Sequence, residues 1–183
     1  MSIYLDNNAT TQPLKEVIEA VQTCLREGYG NPSSLHQAGR SVRAEVEQAR
    51  VSVAKLIGAE NPADIVFTSG GTESISQVFA IARAVAESNA TVPGIIHSTV
   101  EHAAVLDAAR VCAAHGGTVK PVGVDANGNL DLNALEAVLA GMSRGAFVFL
   151  MLANNETGVV FDIPKAAERC RKHGAFLHVD AVQ

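Results

Sequence analysis

The sequence contains no tryptophan, and aromatic residues make up only 4% of its 183 residues. A core built from it must therefore be aliphatic, packed from Val, Ile, Leu and Ala. Cysteine is scarce as well: Cys24, Cys112 and Cys170 lie far apart and form no CxxC pair. That spacing excludes a disulfide framework and a zinc site. Each of the three falls in a predicted helix among apolar neighbours, which predicts core thiols. The histidines His36, His97, His115, His173 and His178 are scattered and lack metal-site spacing. No run of Lys or Arg interrupts a net charge of −5, so nucleic acid is not an expected partner. Uncharged stretches fall short of the roughly 20 residues of a membrane span. The N-terminus also lacks the basic-then-apolar order of a signal peptide. These absences predict a soluble, cytoplasmic protein that engages neither nucleic acid nor membrane.

What is present is 48% apolar residues, enough for one well-cored domain or most of one, with a composition suited to an α/β protein with a buried parallel sheet. Leu14, Val17, Ile18, Val21, Cys24 and Leu25 keep helical spacing until Gly28 and Gly30. The loop "GNPSSLH" leads to a second helix carrying Val42, Val46, Ala49, Val53, Leu56 and Ile57, stopped by Gly58. Strand and helix then alternate. Strands are predicted at 65–68, 94–99, 118–122, 147–152 and 176–179. Helices are predicted at 72–87, 103–115, around 132–139 and at 163–173, with a turn at Asn127-Gly128. Units of this length imply right-handed βαβ crossovers and a largely parallel sheet, whose ligands gather at the C-terminal ends of the strands.

Four of those ends carry chemistry. "IVFTSGGTES" passes through Gly70 and Gly71 into a helix starting near Thr72. Free N–H groups and the helix dipole would draw a phosphate there, with the Thr72 hydroxyl as a further donor. The stretch has neither the GK[ST] of a P-loop nor GxGxxG, and it can equally be a plain capped turn. "STVEHAAV" ends in Glu101-His102, an imidazole that can cap the next helix or stack on a flat ligand. "LMLANNETG" supplies Asn154 and Asn155, which can tie a turn or face a ligand oxygen. Asp180 follows the apolar run of "AFLHVDAVQ", where a carboxylate is costly unless a cation or donors meet it. A protonated ring nitrogen would meet it, and the aspartate would keep that nitrogen charged. Together the ends describe a ligand with a phosphate, a flat ring, a ring nitrogen and a ring hydroxyl within reach of Asn155 or Gln183. Pyridoxal 5′-phosphate has these parts.

"YLDNNATT" at 4–11, "GNPSSLH" at 30–36, "FTSGGTES" at 67–74, "EHAAVL" at 101–106, "ANNETG" at 153–158 and "HVDAVQ" at 178–183 resemble the cysteine desulfurases, in the nitrogen-fixation and iron–sulfur-assembly branch of the class V aminotransferases. The resemblance implies a fold-type-I, pyridoxal-phosphate-dependent α/β enzyme, a mostly parallel sheet with helices on both faces, working as a homodimer. Such enzymes convert L-cysteine to L-alanine and pass sulfur as a persulfide to an iron–sulfur scaffold or another acceptor protein. By matching position, Gly71 and Thr72 would bind phosphate, and His102 would stack on the ring and assist the chemistry. Asn155 and Gln183 would face the ring hydroxyl and its surroundings, and Asp180 would pair with the ring nitrogen. Residues 1–15 would form an arm near the active site and 16–183 an incomplete cofactor-binding domain, with "GNPSSLH" near the dimer and substrate entrance.

Two departures accompany the resemblance. After "TSGGTES" the family continues with Asp or Asn and then Asn, whereas Ile75-Ser76-Gln77 stand here. The family's Schiff-base lysine and persulfide cysteine also match none of the five lysines and three cysteines present. The expectation is therefore an N-terminal portion of a longer enzyme, inactive alone and with apolar surface exposed. Rival readings are a selenocysteine lyase or other class V aminotransferase, and a non-catalytic module that binds the cofactor or a partner.

Overall fold

The structure, a computed structural model, describes residues 3–183. The chain forms two compact units, Met1–Phe67 and Thr68–Gln183.

The first unit is helical. α1 spans Lys15–Glu27 and buries none of its residues: Leu14 just before it is 69% exposed and Leu25 within it 77%. Its apolar stripe is present but exposed, and Cys24 on this helix is exposed rather than in a core. α2 spans Gln37–Ile57, starts on His36, whose Nδ1 accepts from the Gly39 amide at 3.3 Å, and ends on Gly58 in the left-handed region. Its buried residues are Gly39 and Ala54. A 3₁₀ turn at Pro62–Asp64 follows, which the periodicity of the sequence does not announce.

The strand expected at 65–68 is not formed. The segment is extended, but none of the sheet's strands pairs with it, and Val66 is 69% exposed. An extended apolar run becomes a strand only when a neighbour supplies ladder partners. Here the Ile65 carbonyl accepts instead from the Arg50 guanidinium, which also lies 5.1 Å from the centroid of the Phe67 ring.

The second unit alternates α3 (Gly71–Ser88), β1 (Gly94–Ser98), α4 (Ala103–Ala114), β2 (Thr118–Val122), α5 (Leu132–Ala140), β3 (Phe147–Met151), α6 (Ile163–His173) and β4 (Phe176–Asp180). The strands form one parallel sheet in the order β2-β1-β3-β4. Successive side chains point to opposite faces. Ile96, Val148 and Leu150 therefore pack with Leu135 and Leu139 of α5 and with Ala166 and Cys170 of α6. Ile95, Phe147 and Phe149 pack with Ile75 and Ala82 of α3 and with Val105 of α4. Helices thus cover both faces, and every residue of β3 is buried. Each fully buried aliphatic or aromatic side chain contributes roughly 1.5–3 kcal/mol.

Connections follow from local chemistry. Asp125 Oδ1 accepts from the amides of Asn127 (2.8 Å) and Asn129 (2.9 Å), turning the chain through Gly128, whose φ of +84° suits glycine. Asp131 caps α5 by accepting from the Asn133 and Ala134 amides at 3.0 and 2.9 Å. β4 is less buried than its apolar run suggests: Phe176 is 53% exposed and the rest half-buried. Its place at the end of the sheet explains this, since a strand on its outer side is lacking among the described residues.

Among the described residues no helix is long and apolar enough to cross a membrane. Cys112 is half-buried and Cys170 buried. Burial pushes both thiols up, Cys170 to about 11, so neither is disposed to ionise.

Candidate functional site

The order β2-β1-β3-β4 fixes where a ligand can enter. From β1 the chain crosses through α4 to β2 on one side, then returns to β3 on the other side of β1. The connections leaving β1 and β3 therefore diverge, opening a crevice at the C-terminal ends of these two strands, the position where open α/β sheets bind ligands. Glu101 and His102 follow β1, and Asn154 and Asn155 follow β3.

Side chains tie the crevice together. Asn154 is buried; its Oδ1 accepts from the Glu156 amide (2.9 Å), the Thr157 amide (2.9 Å) and the Thr157 hydroxyl (3.1 Å). Its Nδ2 donates to the Val100 carbonyl at 3.2 Å, fastening the loop after β3 to the loop after β1. Asn154 thus ties the turn. Asn155 beside it is half-buried, and its amide donates to Glu156 at 3.3 Å.

Glu101 spans the same gap more deeply. Only 5% exposed, it accepts at Oε1 from the Ser98 hydroxyl (2.5 Å) and from the Met151 amide (3.0 Å), while Oε2 is buried with no hydrogen-bond partner. Burial pushes its carboxyl up to about 7, opposed by those two hydrogen bonds and assisted by the nearby negative charge of Asp180. The sequence marks Glu101 as a carboxylate at a strand end, as it does Asp180, and the same cost-of-burial argument applies to both. What it does not carry is the orphaned oxygen, which follows from packing.

Asp180 ends β4 in register with Met151, is half-buried, and accepts at Oδ1 from the Val182 amide at 3.1 Å. His178, two residues earlier on the strand, has a buried Nε2 without a partner. Burial lowers the pKa of its imidazole, and Asp180 opposes this.

His102 is the N-cap of α4: its exposed ring accepts at Nδ1 from the Ala104 amide at 3.1 Å. This fixes the neutral tautomer with its proton on Nε2. α3 begins at Gly71 without a side-chain cap on its N-terminus. A Cβ placed on Gly70 would meet nothing within 4 Å, and one on Gly71 would meet first the Val182 side chain at 3.4 Å. The helix start is thus open, and it lies against the segment that follows Asp180. Glu73, in its first turn, accepts from the Ser69 amide at 2.6 Å and from Gln77 at 3.2 Å. Hydrogen bonds from Ser69 hold the Glu73 carboxyl below its ordinary range. Ile75, one of the departures from the family pattern, is 3% exposed and belongs to the core, while Ser76 donates back to the Thr72 carbonyl at 2.8 Å.

The structure therefore brings together the start of α3 and the ends of β1, β3 and β4, with Gly71, Thr72, His102, Asn155 and Asp180 on them; Gln183 is exposed at the end of the β4 segment. An open helix start suits an anion, and two neighbouring carboxyl groups suit a cation beside it. These residues fit pyridoxal 5′-phosphate, which presents both. Among the described residues no group of His, Cys, Asp and Glu is arranged to hold a metal. The "DNNATT" segment belongs to the first unit, where the Tyr4 hydroxyl donates to the Asp6 carbonyl at 2.9 Å.

Residues 3–183 match the family Aminotransferase class-V. The cysteine desulfurase of Trichormus azollae is 46% identical over 181 residues, 99% of this chain and 44% of that relative. Cysteine desulfurase NifS of Azotobacter vinelandii is 42% identical over the same share of each. Among solved structures, a NifS-like protein superposes with a TM-score of 0.91 at 36% identity, covering 100% of this chain and 50% of that one. SspA in complex with cysteine superposes with a TM-score of 0.86 at 27% identity, covering 100% of this chain and 51% of that one. The chain thus spans about half the length of the relatives it matches.

Proposed function

The chain belongs to the class V aminotransferase family, and we propose that the whole protein is a pyridoxal-phosphate-dependent cysteine desulfurase. In this reading it converts L-cysteine to L-alanine. As a cytoplasmic homodimer it then hands the sulfur, held as a persulfide, to an iron–sulfur scaffold or another acceptor protein. The observation that carries the reading is the convergence, at the topological switch of the sheet, of an open helix start with Asp180 and a capping imidazole.

Each residue has a distinct task. The amides of Gly71 and Thr72 at the start of α3, with the Thr72 hydroxyl, receive the phosphate, where the helix dipole adds its attraction. Asp180 accepts from the ring nitrogen and keeps it protonated, because an opposite charge at close range favours the charged form. His102, held by the Ala104 amide, offers a flat imidazole to the ring and a proton on Nε2. Asn155 and Gln183 offer amides to the ring hydroxyl. The bound cofactor supplies the electron sink that makes bond breaking at the substrate's α-carbon feasible.

The test is a cofactor titration of wild type and Asp180→Asn. A hydrogen bond to a charged group is worth about 1.5–3 kcal/mol, so the variant should bind at least tenfold more weakly. Equal affinities would sink the assignment. Turnover assayed with L-cysteine and with L-selenocysteine should favour cysteine; the opposite preference would make the protein a selenocysteine lyase.

A further inference from the structure

One carboxyl at the site has no part in the function proposed above. Glu101 is only 5% exposed, between the C-terminal ends of the neighbouring strands β1 and β3, with one oxygen doubly hydrogen-bonded and the other without a hydrogen-bond partner. None of the ion pairs among the described residues includes it. The charged group that acts on it is Asp180 of β4, which also acts on His178 of the same strand, and His102 follows it in sequence at the start of α4; β1 and β3 contribute the neutral donors Ser98 and Met151. Two carboxylates sharing a site with no cation between them do not both ionise easily, and a buried anionic oxygen without a donor is costly. A proton on Glu101 removes both penalties. A cation arriving beside Asp180 reverses the balance, since it stabilises the ionised form of every nearby carboxyl.

We propose that Glu101 is a positioning residue that carries a proton while no cation faces Asp180 and releases it to solvent when a protonated ring nitrogen docks there. The inference rests on the Asp180 reading above. Its consequence is that two carboxylates, rather than one, hold the ring nitrogen in its charged state. Glu101 acts on the ring through Asp180 and through the field of the site, without touching the cofactor. The carboxyl value near 7 places the release within the working range of pH.

The experiment counts protons. Pyridoxal 5′-phosphate is titrated calorimetrically into wild type and Glu101→Gln at about pH 6, below the point where Glu101 ionises unaided, in two buffers of different ionisation enthalpy. Wild type should release close to one proton more per cofactor than the variant. The carbocyclic analogue, with C–H in place of the ring nitrogen, should abolish that difference. Unequal affinities for cofactor and analogue, together with equal proton counts in the two proteins, would overturn the role of Glu101 and leave Asp180 standing. Equal affinities together with equal counts would remove the Asp180 reading and this inference together. Infrared difference spectra of wild type alone provide a second measurement if Glu101→Gln folds poorly. The cofactor should bleach a protonated-carboxyl band that the analogue leaves in place, and an unchanged band with both would overturn the proposal.

Discussion

α6 is an eleven-residue helix with basic residues filling its last turn, and it buries Ala166 and Cys170. α1 is thirteen residues long with a comparable division into apolar and polar faces, and it buries nothing. The same contrast holds for the units that contain them. Thr68–Gln183 has two apolar clusters, one on each face of a sheet, whereas the buried apolar side chains among the described residues of Met1–Phe67 are Ala54 and Ile65. An amphipathic pattern specifies a face, and the facing layer must come from elsewhere in the structure. α6 has β3 and β4 beneath it; α1 keeps Val17, Val21 and Leu25 in solvent. Contiguous exposed apolar surface of that kind favours association.

Truncating the core should give the largest effect. Leu135→Ala, at a position with no exposure, should cost roughly 3–4 kcal/mol, while Leu25→Ala on α1 should stay within about 0.5 kcal/mol. Urea midpoints check the pair, and comparable losses would break the contrast between the two units.

Next comes a pH effect confined to the second unit. The folded protein keeps the Glu101 proton up to about 7, above the ordinary 4.5 of the unfolded chain. Stability should therefore fall as pH rises between those values, by an amount on the order of 3 kcal/mol. The lowered pKa of His178 acts in the opposite sense, adding stability as pH rises toward 6.5 and nothing beyond it. The difference between wild type and Glu101→Gln isolates the first contribution, and a pH-independent difference would refute it.

Helix caps sharpen the comparison. Asp131→Ala should cost about 1 kcal/mol through the loss of two hydrogen bonds at the start of α5. His36→Ala, which removes one longer bond of 3.3 Å from α2, should cost less. Thermal denaturation of both variants decides their order. Smallest of all is Lys15→Ala, which removes a pair with Glu19 whose side chains are 85% and 61% exposed. Its loss should lie within a few tenths of a kcal/mol and vanish in high salt.

The second unit was legible in the sequence because its signals are local. The run 118–122 and the helix 163–173 have the bounds read from pattern and punctuation alone. The turn at Asn127-Gly128 announces itself by residue type. What the sequence concealed is non-local. Residues 65–68 have the composition of a strand, but pairing depends on which backbone lies alongside, and Arg50 takes the place of a ladder partner there. Cys24 sits in a helical pattern like Cys170, yet one is exposed and the other buried. At the site, residue types and spacing located the strand ends. The burial of Glu101 beneath Met151 needed the sheet.

The back-and-forth order of the strands also has a bearing on time. Ile95 pairs with Val119 on one side and with Phe147 on the other, so the second closure spans roughly twice as much chain. Doubling a loop costs only about 0.6 kcal/mol of closure entropy, too little to matter to the finished fold. It does bias the order of events, because nearer contacts form before distant ones reward the chain. β1 should zip to β2 first, and the seam between β1 and β3 should close late. Pulse-labelled hydrogen exchange can follow this, with the Lys120 amide, which faces β1, expected to gain protection before that of Phe149. The crevice that gathers Glu101, His102 and Asn154 would then be among the last parts of this unit to take shape, and until it does there is nothing for a cofactor to hold.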